Sequence, residues 1–100
     1  MTESIIHDEV AYISGPMSGL PNFNREAFFR AEEKLNNMGF ATINPAILPE
    51  GWEYKAYMDS AYIGVKLCSV FYQLENWRNS IGAIQERCWA DELGKKAVEI

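Results

Sequence analysis

Short β-prone runs alternate with helical patterns along this 100-residue chain, and few folds accommodate that order. The runs are Val10–Ser14, Phe40–Ile43, Val70–Leu74 and Lys96–Ile100, each too brief for a helix. Between the first two, Phe28, Ala31, Leu35 and Met38 recur at spacings of three and four, which places them on one helical face. Asn24 offers that helix an N-cap, and Gly39 a left-handed terminus. A second helix is predicted over Tyr54–Lys66, with Tyr57, Ala61, Ile63 and Val65 on its packed surfaces. A third runs from the cap residue Ser80 to Leu93 and closes at Gly94. The order β-α-β-α-β-α-β predicts a single α/β domain over residues 1–100. It has three layers: a parallel sheet of about four strands, joined by right-handed crossovers, with helices on both faces. Ligands in such sheets sit beyond the carboxyl ends of the strands. The loops that matter are therefore Gly15–Phe23, Pro45–Glu53 and Glu75–Asn79.

Composition narrows the function classes. An apolar share of 48% with 23% charged residues is that of a globular protein. The net charge of −5 argues against a partner presenting a nucleic-acid duplex, which needs a basic face. No apolar run approaches the ~20 residues of a membrane span, and the opening MTESIIHDEV lacks the pattern of a secretory signal. The expected location is the cytoplasm. Cys68 and Cys88 then read as free, mostly buried thiols. With His7 as the only histidine, neither a histidine triad nor a multi-histidine metal site can be assembled. No metal or organic cofactor is expected, and the chemistry falls to carboxylates, hydroxyls or thiols.

The first loop, with Ser14, Gly15, Pro16, Met17, Ser18 and Gly19, follows a strand and opens toward a helix. Glycines allow backbone N–H groups to approach an anion, and the serine hydroxyls add donors; the same residues also suit a plain tight turn. The third helix begins Ser80-Ile81-Gly82, whose free N–H groups and dipole suit an anion. Glu86, in its second turn, is either a base or nucleophile facing the strand ends or a solvated partner of the helix dipole. Asp59 is a second carboxylate, for catalysis or for capping. Arg25 and Arg78 flank two loops, where they hold a phosphate or are simply solvated. Trp77 stacks on a base or packs, and the Tyr12 hydroxyl is a site donor at the end of the first strand. Trp52, Tyr54, Tyr57 and Trp89 exceed what three short helices readily bury, which suggests an oligomer interface or a site wall.

Taken together, Tyr12-Ile-Ser-Gly-Pro-Met-Ser-Gly19, Asn44-Pro45, Gly51-Trp52-Glu53 and the Asn76–Glu86 segment resemble a phage and prophage family. That family is similar to a compact, flavodoxin-like branch of the nucleoside 2-deoxyribosyltransferase-like proteins. The resemblance covers about Val10 to Val98. It implies that Glu86 attacks an anomeric carbon and that Tyr12 orients it. Where the deoxyribosyltransferases have Asp six residues before the glutamate, this chain has Ser80, as in the similar 2′-deoxynucleoside 5′-phosphate N-hydrolases. An Asp there would repel a phosphate that a hydroxyl accepts. Two positions depart from the pattern: Ala61 stands where a base-protonating Asp is expected, and Ser69 where an Asp follows Cys68.

The leading expectation is N-glycosidic cleavage, by hydrolysis or transfer, of a 2′-deoxynucleoside 5′-monophosphate. Glu86, Tyr12 and Asp59 are the catalytic candidates. Ser14, Gly15, Pro16, Met17, Ser18, Gly19, Trp77, Ser80 and Gly82 are those for binding. A nucleotide-sequestering protein and a module that docks on a host protein are the alternatives. A homo-oligomer is expected under the first two readings.

Overall fold

A computed structural model describes residues 9–99, so His7 and Ile100 lie outside the described residues. Its strands are β1 (Val10–Ser14), β2 (Ala41–Ile43), β3 (Val70–Gln73) and β4 (Lys96–Glu99), and its helices α1 (Arg25–Asn37), α2 (Tyr54–Leu67) and α3 (Ile81–Glu92). The four strands form one parallel sheet in the order β2-β1-β3-β4, with Tyr12 opposite Phe71 and Ser14 opposite Gln73. This is the predicted α/β architecture. β1 and β3 occupy the centre of the sheet.

Alternation along those central strands splits the core in two. Ala11, Ile13, Tyr72 and Leu74 face α1 and pack with Phe28, Ala31 and Leu35. Tyr12 and Phe71 face the other way and pack with Ala61, Val65 and Cys68 from the α2 side and Ala90 of α3. One helix therefore covers one face and two helices the other.

Several local expectations need correction. Met38 is 61% exposed, because it caps α1 rather than continuing its buried face. Ile63 is 58% exposed, whereas Gly64 takes the buried place beside Val65. Cys88 is exposed, although Cys68 is buried, and both are free. Asn24 makes no capping hydrogen bond with its side chain, which instead donates to the Pro16 carbonyl at 3.0 Å. It does so from a left-handed turn, with φ of 50°, 54° and 61° at Asn22, Phe23 and Asn24. Gly39 and Gly94 have positive φ, as helix-terminating residues should. Among the described residues no helix is long and apolar enough to cross a membrane, and no group of three His, Cys, Asp or Glu side chains is placed to hold a metal.

Candidate functional site

Residues two apart on a strand point the same way, so Tyr12 and Ser14 both leave β1 toward the α2–α3 side. They meet one carboxylate there. Tyr12 Oη donates to Glu86 Oε2 at 2.7 Å, and Ser14 Oγ donates to Glu86 Oε1 at 2.5 Å. Glu86 is only 8% exposed, and burial pushes its carboxyl up to about 7. The two hydroxyls oppose that rise, Ser14 more than Tyr12, by hydrogen-bonding to the charged form. The Tyr12 phenol lies well above its ordinary range, first through burial and second through the charge of Glu86, so it stays a donor. Ser14→Ala is accordingly expected to raise the Glu86 titration further than Tyr12→Phe does, read from carboxyl carbon chemical shifts against pH. Equal shifts, or a fall in either variant, would contradict this arrangement.

Gly64 on α2 seats the tyrosine. A Cβ at that position would lie 2.6 Å from Tyr12 Cε1, so only a bare backbone lets the ring lie flat between α2 and the sheet. The ring stacks on Phe71 with centroids 5.9 Å apart and planes 4° from parallel. Sequence reasoning missed Gly64; the one signal was a glycine inside a helical pattern.

The first turn of α3 lies one helical turn above Glu86. Ser80 caps it by accepting from the Ala83 amide at 3.1 Å. The Ile81 and Gly82 amides make no hydrogen bond among the described residues, which leaves two donors at the positive end of the dipole. A Cβ at Gly82 would have room, its neighbours being Tyr54 Oη at 3.5 Å, Met58 Sδ at 3.7 Å and Ser80 Oγ at 3.9 Å. The bare stretch of helix is thus framed by two hydroxyls and a thioether, with the Glu86 carboxyl one turn deeper.

The family model of a domain of unknown function, DUF4406, matches residues 9–99. The chain belongs to the DUF4406 family. Among solved structures, it is similar to the Clostridium botulinum CMP N-glycosidase BcmB, with a TM-score of 0.65 at 18% identity. The match covers 91% of the DUF4406 chain and 67% of the glycosidase. At that identity the likeness shows a shared fold, that of the nucleoside 2-deoxyribosyltransferase-like proteins. No curated protein matches in sequence.

Not every candidate of the DUF4406 chain gathers at Glu86. Asp59 stands apart: its side chain is 64% exposed and pairs with Lys55 one turn away at 2.8 Å. Ala61, two residues on, is the position that faces the core beside Tyr12. Trp77 is buried, and guanidinium groups cover its ring, Arg78 at 4.5 Å and Arg87 at 5.5 Å, so it packs rather than offering a free stacking face. Arg78 also pairs with Glu99, and Arg25 with Glu50. The glycine loop divides. Gly15 approaches β3 so closely that a Cβ would meet Leu74 Cβ at 2.7 Å. Met17 packs on the α1-side core, Pro16 and Ser18 line an open groove on that same side, and Gly19 is exposed. Of that loop, Ser14 alone hydrogen-bonds Glu86.

One further residue went unnoticed in the sequence. Gln73 lies beside Ser14 in register and is fully buried. Its Oε1 accepts from Arg87 Nη1 at 2.5 Å, and its Nε2 has no partner among the described residues. The aromatic surplus noted in the sequence resolves into pairs, with Trp52 stacked on Tyr57 at 5.2 Å and Tyr62 edge-on to Trp89 at 5.0 Å; Tyr54 remains exposed.

Proposed function

We propose that this protein cleaves the N-glycosidic bond of a nucleoside 5′-monophosphate, with Glu86 as the nucleophile. The observation that carries the reading is a buried carboxyl, held through both oxygens by Tyr12 and Ser14, one turn below the first turn of α3 with its two unpaired amides, Ile81 and Gly82. Each carboxylate oxygen accepts one hydrogen bond and keeps a lone pair. One of them forms a bond to the anomeric carbon as the bond to the base nitrogen breaks. The base leaves with the bonding electrons and takes a proton from water. A second water then hydrolyses the glycosyl ester and restores the carboxylate. The Ile81 and Gly82 amides and the Ser80 hydroxyl receive the phosphate. The likeness of fold to a CMP N-glycosidase supports this reading. A self-associated form fits it as well, since Tyr54, Ile63 and Leu67 on α2 are all more than half exposed.

The test is chromatographic detection of free base after incubation with each ribo- and deoxyribonucleoside 5′-monophosphate. Base release by wild type with an acid limb near pH 7 is expected, because Glu86 attacks only when ionised. Ser80→Asp keeps the cap and adds a negative charge. It is expected to weaken nucleotide cleavage by ~10²-fold while sparing the phosphate-free nucleoside. Base release by no nucleotide at all would sink the proposal.

A second reading is a nucleotide-binding protein without turnover. It is favoured by Ala61 at the position facing the core and by Asp59 turned to solvent, which leave the departing base without a carboxylic acid to protonate it. A saturable thermal shift with nucleotide but no free base would identify it.

A further inference from the structure

The face of β3 that points away from Glu86 is only partly roofed by α1, and beside that helix lies an open groove of about 650 Å³. Its floor is Tyr72 and Leu74, which alternate with the residues facing α3, so the sheet separates it from the carboxylate site. From α1, Arg30 and Lys34 line one wall, one helical turn apart. Neither forms an ion pair among the described residues, and the Lys34 ammonium sits 6.0 Å over the Tyr72 ring. Like charges four apart on a helix repel each other. What sets this pair apart is position: both cations line the same groove, within reach of one bound anion.

The opposite wall is the turn after β3, with Glu75, Asn76 and Asn79. These three side chains are exposed, and none of them hydrogen-bonds another group among the described residues, so their donors and acceptors are open to a ligand. The end of the groove is set by Asn24, the last residue of the left-handed turn. Three consecutive non-glycine residues in that conformation are strained, and such strain persists where surrounding structure demands one geometry.

We infer that this groove is a second ligand site, for a small phosphomonoester whose body carries hydroxyl or amine groups. Two cations one turn apart suit a dianionic phosphate, which can accept hydrogen bonds from both. The Glu75 carboxylate across the groove repels a second anionic group but accepts from hydroxyls and amines, and the two asparagine amides serve either donor or acceptor. The volume lies within the range of small-molecule sites. This site does not depend on Glu86 being a nucleophile.

The experiment is calorimetric titration with adenosine 5′-monophosphate in the Ser80→Asp background, where the phosphate position over α3 is blocked. Saturable binding at one site is expected there, weakened at least tenfold when Arg30→Gln and Lys34→Gln are added, and weakened by added salt. Both positions are exposed, so an unchanged melting temperature will show that the fold is intact. Absence of saturable binding in Ser80→Asp, or equal affinity with and without the two glutamines, would overturn the site. Base release by wild type is scored separately: its failure removes the glycosidase reading and leaves the groove standing if the glutamines weaken binding.

Discussion

Glu86→Gln is expected to lower base release by at least ~10³-fold while making the protein more stable above neutral pH. The amide is isosteric with the carboxyl and can still meet the two hydroxyls, but it cannot form the glycosyl ester, and loss of a nucleophile is among the costliest changes an enzyme suffers. The stability effect has a definite sign. Burial lifts the Glu86 carboxyl from 4.5 to about 7, so between those values the folded protein holds a proton that the unfolded chain has released. The associated stabilisation is fully present below pH 4.5 and is lost as pH rises through about 7. By the usual conversion that loss is on the order of 3 kcal/mol. In a domain of this size one kcal/mol moves the melting temperature by ~4–8 °C. Wild type should therefore melt progressively lower from pH 4.5 to pH 8, and the Gln variant should follow a flatter profile. Parallel profiles would mean that another group titrates, and undiminished base release would remove Glu86 from the chemistry.

Gly64→Ala should damage stability and activity together, although the residue touches no reacting atom. The added Cβ would sit 2.6 Å from Tyr12 Cε1, 2.8 Å from Cδ1 and 3.3 Å from Ile43 Cγ2. Two of those contacts are with a ring that is itself clamped against Phe71, so the strain cannot be shed into a flexible chain end. Either α2 lifts from the sheet or the tyrosine swings and its hydroxyl leaves Glu86. Overpacking of this kind costs ~1–3 kcal/mol, and base release should fall by at least tenfold through the lost alignment. The double substitution discriminates. In a Tyr12→Ala background the same glycine change should cost little stability, because the space it needs has been vacated. Additive losses would show that the ring contact is not the cause.

These two residues also mark where sequence reading succeeds and where it stops. The strands were legible because Val10–Ser14 and Val70–Leu74 are short, apolar and bounded by breakers, and parallel topology follows from the helices between them. Glu86 was legible as a candidate from its place in the second turn of the third helix, and once β1 is a strand, Tyr12 and Ser14 necessarily share a face. The bond from Ser14 to Glu86 spans 72 residues, however, and no local pattern announces it. Gly64 is understood only from the far side of the contact, where the Tyr12 ring lies. The glycine loop misled for a different reason. Its composition shows that the chain turns, but not to which side of the sheet each residue goes; Pro16 and Ser18 went to the α1 side. Asp59 is placed by helical register: it and Ala61 are two apart, about 200° around a helix, so when Ala61 faces the core Asp59 faces water.

The strand order has a consequence for how the protein behaves at high concentration. The outer strands are β2, which is three residues long, and β4, which begins at Lys96 and ends at Glu99. Among the described residues each leaves one row of backbone donors and acceptors unpaired, and such rows can recruit strands from other molecules. A three-residue template offers too few hydrogen bonds to capture a stranger, and charges at both ends of the other discourage an apolar one. Because β1 and β3 are sandwiched between these guarded margins, the two strands that build the carboxylate site are the best protected in the sheet against aggregation.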